Sequence, residues 1–303
     1  MFGTYFKLVV TMVIWGGTWV AGRYAVQSAP PLGVAVWRFL IAGGALLALV
    51  ALRHGRLPRP TRHEWLLIFG LGVTGIFLYN LCFLYGLQRL AAGQAALVVA
   101  LNPVMITLAA AVWLGERLTP RKAAGSAIAL VGCLTVIGHG SPLAPLAPLT
   151  GDVGLGELLI VGCALFWAIY TLIGRRATKT QPALVVTAYS TVVGWCLLLA
   201  TALIDAPAVL VPDYAPLVWG AILFLALLGT TLGFTWFNAA VAHIGAARAS
   251  IFINLVPVAA VLQGAWLLDE RLGLSVLVGG ALVLLGVVLT QQTPPRIPLE
   301  QTR

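Results

Sequence analysis

Asn102 and Pro103 lie inside one long apolar run, and Asn254 and Pro257 lie inside a second run 154 residues on (257 − 103 = 154). Proline within a helix removes a backbone hydrogen bond and clashes with the preceding turn, so carbonyls are left free beside it. An asparagine at such a break adds an amide that both donates and accepts. Trp15 and Trp167, 152 residues apart (167 − 15 = 152), bring indole N–H donors to the middle of two more apolar runs, and Tyr79 brings a phenol. Arg38 sits about six residues into another run, where its guanidinium either snorkels to headgroups at the outer surface or meets a carboxylate or phosphate. The chemistry on offer is reversible binding of a small amphipathic molecule. Packing alone is the alternative for the prolines and tryptophans.

Bond-making chemistry has no matching set of residues. The four cysteines, Cys82, Cys133, Cys163 and Cys196, share no C-x-x-C spacing, and His54, His63, His139 and His243 are scattered. No G-x-S-x-G, H-E-x-x-H or phosphate-binding loop occurs. No catalytic residue, metal or cofactor is therefore expected. No Asp or Glu falls in the middle of an apolar run, so the usual carboxylate for proton or sodium coupling is also missing.

The elements that carry these groups must lie in a bilayer. Sixty per cent of the 303 residues are hydrophobic and 9% are charged, and the mean hydropathy is +1.00. A water-soluble domain of that composition would expose an aggregating surface. Apolar runs near the roughly 20 residues needed to cross a bilayer are placed at 5–22, 32–52, 65–87, 92–112, 120–138, 156–174, 182–204, 215–236, 243–267 and 273–291. Taking the N-terminus as cytoplasmic leaves only Arg23, Arg38, Arg89 and Arg271 of the 18 Lys and Arg outside or near the outer face (18 − 4 = 14 inside). The positive-inside rule then puts both termini in the cytoplasm, and the net charge of +9 is topological rather than a nucleic-acid footprint. The first run is retained as a helix rather than cleaved as a signal, because it pairs with the sixth through Trp15 and Trp167.

The same offsets recur throughout. Glu116 falls on Glu270, Gly125 on Gly279 and Gly132 on Gly286 (each + 154), while Gly22-Arg23 falls on Gly174-Arg175 (+ 152). Residues 1–138 and 156–291 thus read as two five-helix copies joined by a Pro/Gly-rich linker at 139–155, with a disordered cytoplasmic tail at 292–303. Five is odd, so the second copy enters the membrane from the opposite side. The expected architecture is all-α: ten transmembrane helices in two inverted repeats around a central cavity, with Trp15, Tyr79, Asn102, Trp167, Asn254 and Arg38 lining it. The glycines at 125, 132, 279 and 286 are expected to pack helices within each half or to form a seam in a weak homodimer.

Trp15-Gly-Gly-Thr18, Trp37-Arg-Phe39, Asn102-Pro103 and Gly115-Glu-Arg-Leu118, with the echoes Val256-Pro257 and Asp269-Glu-Arg-Leu272, resemble the EamA branch of the drug/metabolite transporter superfamily. The resemblance spans nearly the whole chain. It implies an inner-membrane exporter of small metabolites, with the cavity between spans 1 to 4 and 6 to 9 and with spans 5 and 10 at the periphery. The aromatic content looks most like the amino-acid exporters of the YddG type, which implies aromatic or neutral amino acids as cargo. Another metabolite or drug-like amphipath, a channel and an integral membrane enzyme are the other readings. The expected partners are the substrate and the lipid bilayer, not nucleic acid.

Overall fold

In the computed structural model the described residues are 2–55, 57–114, 118–138, 154–244, 249 and 252–291. The structure is all-helical. Helix α1 spans Phe2–Ser28, α2 Pro31–His54, and α3 Arg62–Leu71 continuing through a π-helical segment Gly72–Leu78 into Tyr79–Leu87. Then come α4 (Ala92–Val99), α5 (Asn102–Leu114), α6 (Pro120–Ile137), α7 (Leu155–Ala177) and α8 (Ala183–Asp205). Helix α9 runs Pro216–Leu223, a second π-helical segment Phe224–Leu232, and Gly233–Ile244; α10 is Leu255–Leu267 and α11 Leu274–Gln291. Among the described residues, nine helices are long and apolar enough to cross a membrane, with α10 a shorter apolar one. Large apolar side chains such as Leu52 (83% exposed) and Trp266 (81% exposed) face outward, a surface that lipid covers at no cost. Linker residues 139–153, the tail 292–303, Glu116 and Arg248 lie outside the described residues, and α7 begins at Leu155, the last residue of the expected linker.

Helix ends follow from local sequence. Pro31 opens α2 where its missing N–H costs nothing, and Gly55 closes it with φ at 68°. Thr61 and Glu64 form a reciprocal capping box at the start of α3. The fourth span breaks at Ala100–Leu101, between α4 and α5, because Pro103 cannot donate to the Val99 carbonyl. Its repeat mate breaks at Asn254, 154 residues later (254 − 100 = 154), ahead of Pro257.

The two halves interlock as the offsets require. Helix α1 packs against α9 and α10, and its mate α7 packs against α3, α4 and α5. Thr18 on α1 meets Gly229 on α9, and Tyr170 on α7 meets Gly75 on α3, both pairs being related by the repeat (18 + 152 = 170; 75 + 154 = 229). A side chain at either glycine would collide, with Thr18 at Gly229 and with the Tyr170 ring at Gly75. The glycines at 125, 132, 279 and 286 do not pack helices within one half. They join α6 to α11, across the two halves: Gly125 abuts Gly286, and Gly132 abuts Gly279. Each contact is the repeat image of the other, which is the signature of a two-fold relation.

The level of that axis can be read from α2 and α8. Gly43 meets Val192 and Thr191, and the repeat images of these on α2 are positions 40 and 39 (192 − 152 = 40; 191 − 152 = 39). The axis therefore crosses α2 near residue 41, midway between 39 and 43. Arg38 lies three residues away, about 4.5 Å along the helix.

Candidate functional site

Arg38 does not snorkel. Its Nη1 donates to Asn80 Oδ1 on α3 at 3.0 Å and its Nη2 to Thr230 Oγ1 on α9 at 3.3 Å. Both partners are 2% exposed, which draws the guanidinium inward. The Phe39 and Phe83 rings lie 4.8 and 5.9 Å from its carbon. Every group around it is neutral; among the described residues no carboxylate pairs with it, and its Nε–H is buried without an acceptor. A guanidinium placed near the midplane is costly unless something there uses it, and a vacant donor edge of a planar fork is the shape that a carboxylate fills.

The two π-helical segments present Arg38's partners. Asn80 follows the segment in α3 and donates to the Ile76 carbonyl at 2.8 Å. Thr230 lies within the segment in α9 and donates to the Leu225 carbonyl, five residues back, at 2.9 Å. The wider π turn makes that five-residue reach possible, and such turns recur at functional sites. Neither Asn80 nor Thr230 was singled out from sequence. The paired glycines Gly75 and Gly229 were the only available signal.

An aromatic row leads away from the cation. Trp19 meets Phe83 at 4.9 Å, Phe83 stacks on Tyr79 at 6.0 Å, Tyr79 meets Trp167 at 5.5 Å, and Trp167 meets Tyr170 at 5.2 Å. Tyr79 and Trp167 are thus brought together, and Phe83 joins them to Arg38. Trp15 stands apart. It packs on Phe234 and Phe237 and donates its indole N–H to the Gly229 carbonyl at 2.9 Å.

The asparagines also separate. Asn102 opens α5 with its Oδ1 buried and unpaired. Asn254 donates to Gln291 Oε1 on the peripheral helix α11 at 3.2 Å, away from the aromatic row. Pro103 and Pro257 sit one turn past their helix breaks. Glu270 has a different task from binding cargo: its carboxylate accepts from the Ala92 and Gly93 N–H groups at 2.7 and 3.1 Å. It thereby caps α4 of the opposite repeat, where the helix dipole favours an anion.

Two interlocked halves of apolar helices, with Arg38 and an aromatic row inside them, are the architecture of a multi-pass membrane protein with a polar interior. The chain belongs to the EamA-like transporter family, which it matches over residues 3–138 and again over 154–291. It is 31% identical over 299 residues to the uncharacterized transporter YyaM of Bacillus subtilis, covering 99% of this chain and 96% of that one. It is also 31% identical, over 293 residues, to a probable terminal-alkyne amino-acid exporter of Streptantibioticus cattleyicolor, covering 93% of this chain and 91% of that one. A solved structure with a TM-score of 0.66 and 19% identity covers 95% of both chains and shares the fold. The protein is a multi-pass membrane transporter of small metabolites.

Proposed function

We propose that this transporter exports carboxylate-bearing amphipaths of amino-acid size, neutral and aromatic amino acids first among them, across the inner membrane. The observation that carries this reading is Arg38: a guanidinium near the repeat axis, held by two neutral side chains, with a vacant Nε–H and no acid beside it. A substrate carboxylate would supply the missing charge, and its apolar side chain would lie along Phe83, Tyr79 and Trp167. The probable terminal-alkyne amino-acid exporter among the relatives supports the substrate class. Both termini and the 53–64 loop face the cytoplasm in this reading, in keeping with the charge asymmetry. Alternating access by rocking of one group of helices against the other, as inverted repeats permit, would carry the cargo past the axis.

Counterflow in proteoliposomes with a panel of amino acids tests it. Neutral aromatic amino acids should accelerate exchange of one another, whereas their amides, which lack the carboxylate, should not. Equal exchange of acid and amide would remove the role given to Arg38.

A further inference from the structure

At the end of the bundle that carries the N-terminus there is a second feature, a cavity of about 240 Å³ lined by Arg53, Ala183, Leu184, Thr235, Asn238 and Ala239. Its walls are the last turn of α2, the first turn of α8 and the last turns of α9. Helices α2 and α9 are also the ones that carry Arg38 and Thr230. The space is smaller than the roughly 300–1,000 Å³ of a pocket for drug-sized ligands, so it suits a molecule of amino-acid size.

Helix α9 continues the polar lining inward, whereas α2 is apolar between its two arginines, from Phe39 to Leu52. On α9, Thr231, Thr235 and Asn238 follow at i, i+4 and i+7, which places them on one face. The Thr235 hydroxyl donates to the Thr231 carbonyl at 2.7 Å and the Thr231 hydroxyl to Ala226 at 3.1 Å. With their protons committed, both oxygens keep lone pairs that accept from an ammonium group. On α2, Arg53 lies 15 residues from Arg38 (53 − 38 = 15), about 22 Å along the helix and about 60° around it. Among the described residues Arg53, like Arg38, has no carboxylate partner. Arg53 stands at the outer end of this hydroxyl and amide stripe, and Thr231 at its inner end is next in sequence to Thr230, which holds Arg38.

We propose that this cavity is an intake site for carboxylate-bearing substrate: Arg53 captures the carboxylate at the membrane face, and the stripe Asn238, Thr235 and Thr231 guides the molecule to Arg38. The proposal rests on the substrate class argued above and adds a site that acts from one side of the membrane only.

Phenylalanine exchange in proteoliposomes of a single protein orientation tests this, with R53Q, N238L and R53K beside R38Q. Loss of the charge-assisted contact in R53Q should raise the half-saturating concentration on the N-terminal face about tenfold. On the opposite face it should not change, and the maximal rate should stay within about twofold. R53K should keep most of the wild-type value, and N238L should shift it in the same one-sided way. No shift, or an equal shift on both faces, overturns the intake site. R38Q should cut exchange at least about tenfold from both faces. If it does so while R53Q behaves as wild type, only the intake site fails. If R38Q exchanges normally, or the wild type moves no phenylalanine, the reading at Arg38 fails and takes the substrate class of this site with it.

Discussion

Gly132 and Gly279 touch backbone to backbone across the two halves of the chain: a Cβ on Gly132 would stand 2.6 Å from the Gly279 carbonyl oxygen, and one on Gly279 would stand 2.8 Å from that of Gly132. The obstacle in each case is backbone, which cannot swing aside. Close approach of this kind is how membrane helices gain packing energy where lipid offers no hydrophobic drive. Gly132→Ala should therefore destabilise the protein by about 1–3 kcal/mol, and Gly132→Leu should separate α6 from α11. Thermal unfolding in detergent checks this; a Gly132→Leu variant as stable as wild type would refute the seam. Gly44, with nothing within 4 Å of its Cβ position, serves as the tolerant control.

Glu270 ties the loop before α11 to the first amides of α4 with two charge-assisted hydrogen bonds. Glu270→Ala should leave those N–H groups unpaired and cost about 1–3 kcal/mol. Glu270→Gln keeps an acceptor oxygen and should cost less. Apparent melting temperatures of the two variants give the comparison, and an alanine variant no less stable than the glutamine one would remove the capping role.

Because only neutral side chains hold Arg38, removing its charge leaves no buried counter-ion behind. Arg38→Gln should thus keep near-normal expression and melting temperature while cutting exchange at least about tenfold, the size of one lost charge-assisted contact. Arg38→Lys keeps the charge but loses the fork, so it should recover only part. Exchange at wild-type rates in Arg38→Gln would place the binding site elsewhere.

In the proposed topology the 53–64 loop faces the cytoplasm. A cysteine introduced at Arg59 should react with membrane-impermeant maleimide only after the cells are opened. Cys196→Ser provides the background, since Cys196 is the exposed one of the four cysteines. Labelling of position 59 in intact cells would reverse the topology.

Energetics offer a further check. Among the described residues the acids lie at helix ends or in connections: Glu64 in a capping box, Glu157 in the first turn of α7, Asp205 at the end of α8, Asp213 before α9, and Asp269 and Glu270 in the loop before α11. None is placed to bind a coupling ion near the axis. With equal amino acid on both sides of a proteoliposome membrane, an imposed pH or sodium gradient should produce no net accumulation. Uphill uptake would direct attention to Tyr79, His243 or Glu157.

Residue order alone determines what depends on spacing along one chain. Apolar run lengths reveal the spans, the constant offsets from Pro103 to Pro257 and from Gly132 to Gly286 reveal the duplication, and an odd number of helices per copy makes it inverted. These are one-dimensional properties, fixed by hydropathy and by the bonds that proline cannot make. What faces what belongs to the tertiary structure. Arg38 finds Asn80 across 42 residues and Thr230 across 192, and the direction of its side chain depends on how α3 and α9 turn toward α2. The π-helical segments that present those partners are a shift in backbone hydrogen-bond register, which leaves no periodic trace. Gly132 could have met a helix of its own half, of the other half, or of a second copy. Only the packing of α6 against α11 decided it, because small residues permit a close approach without specifying the partner.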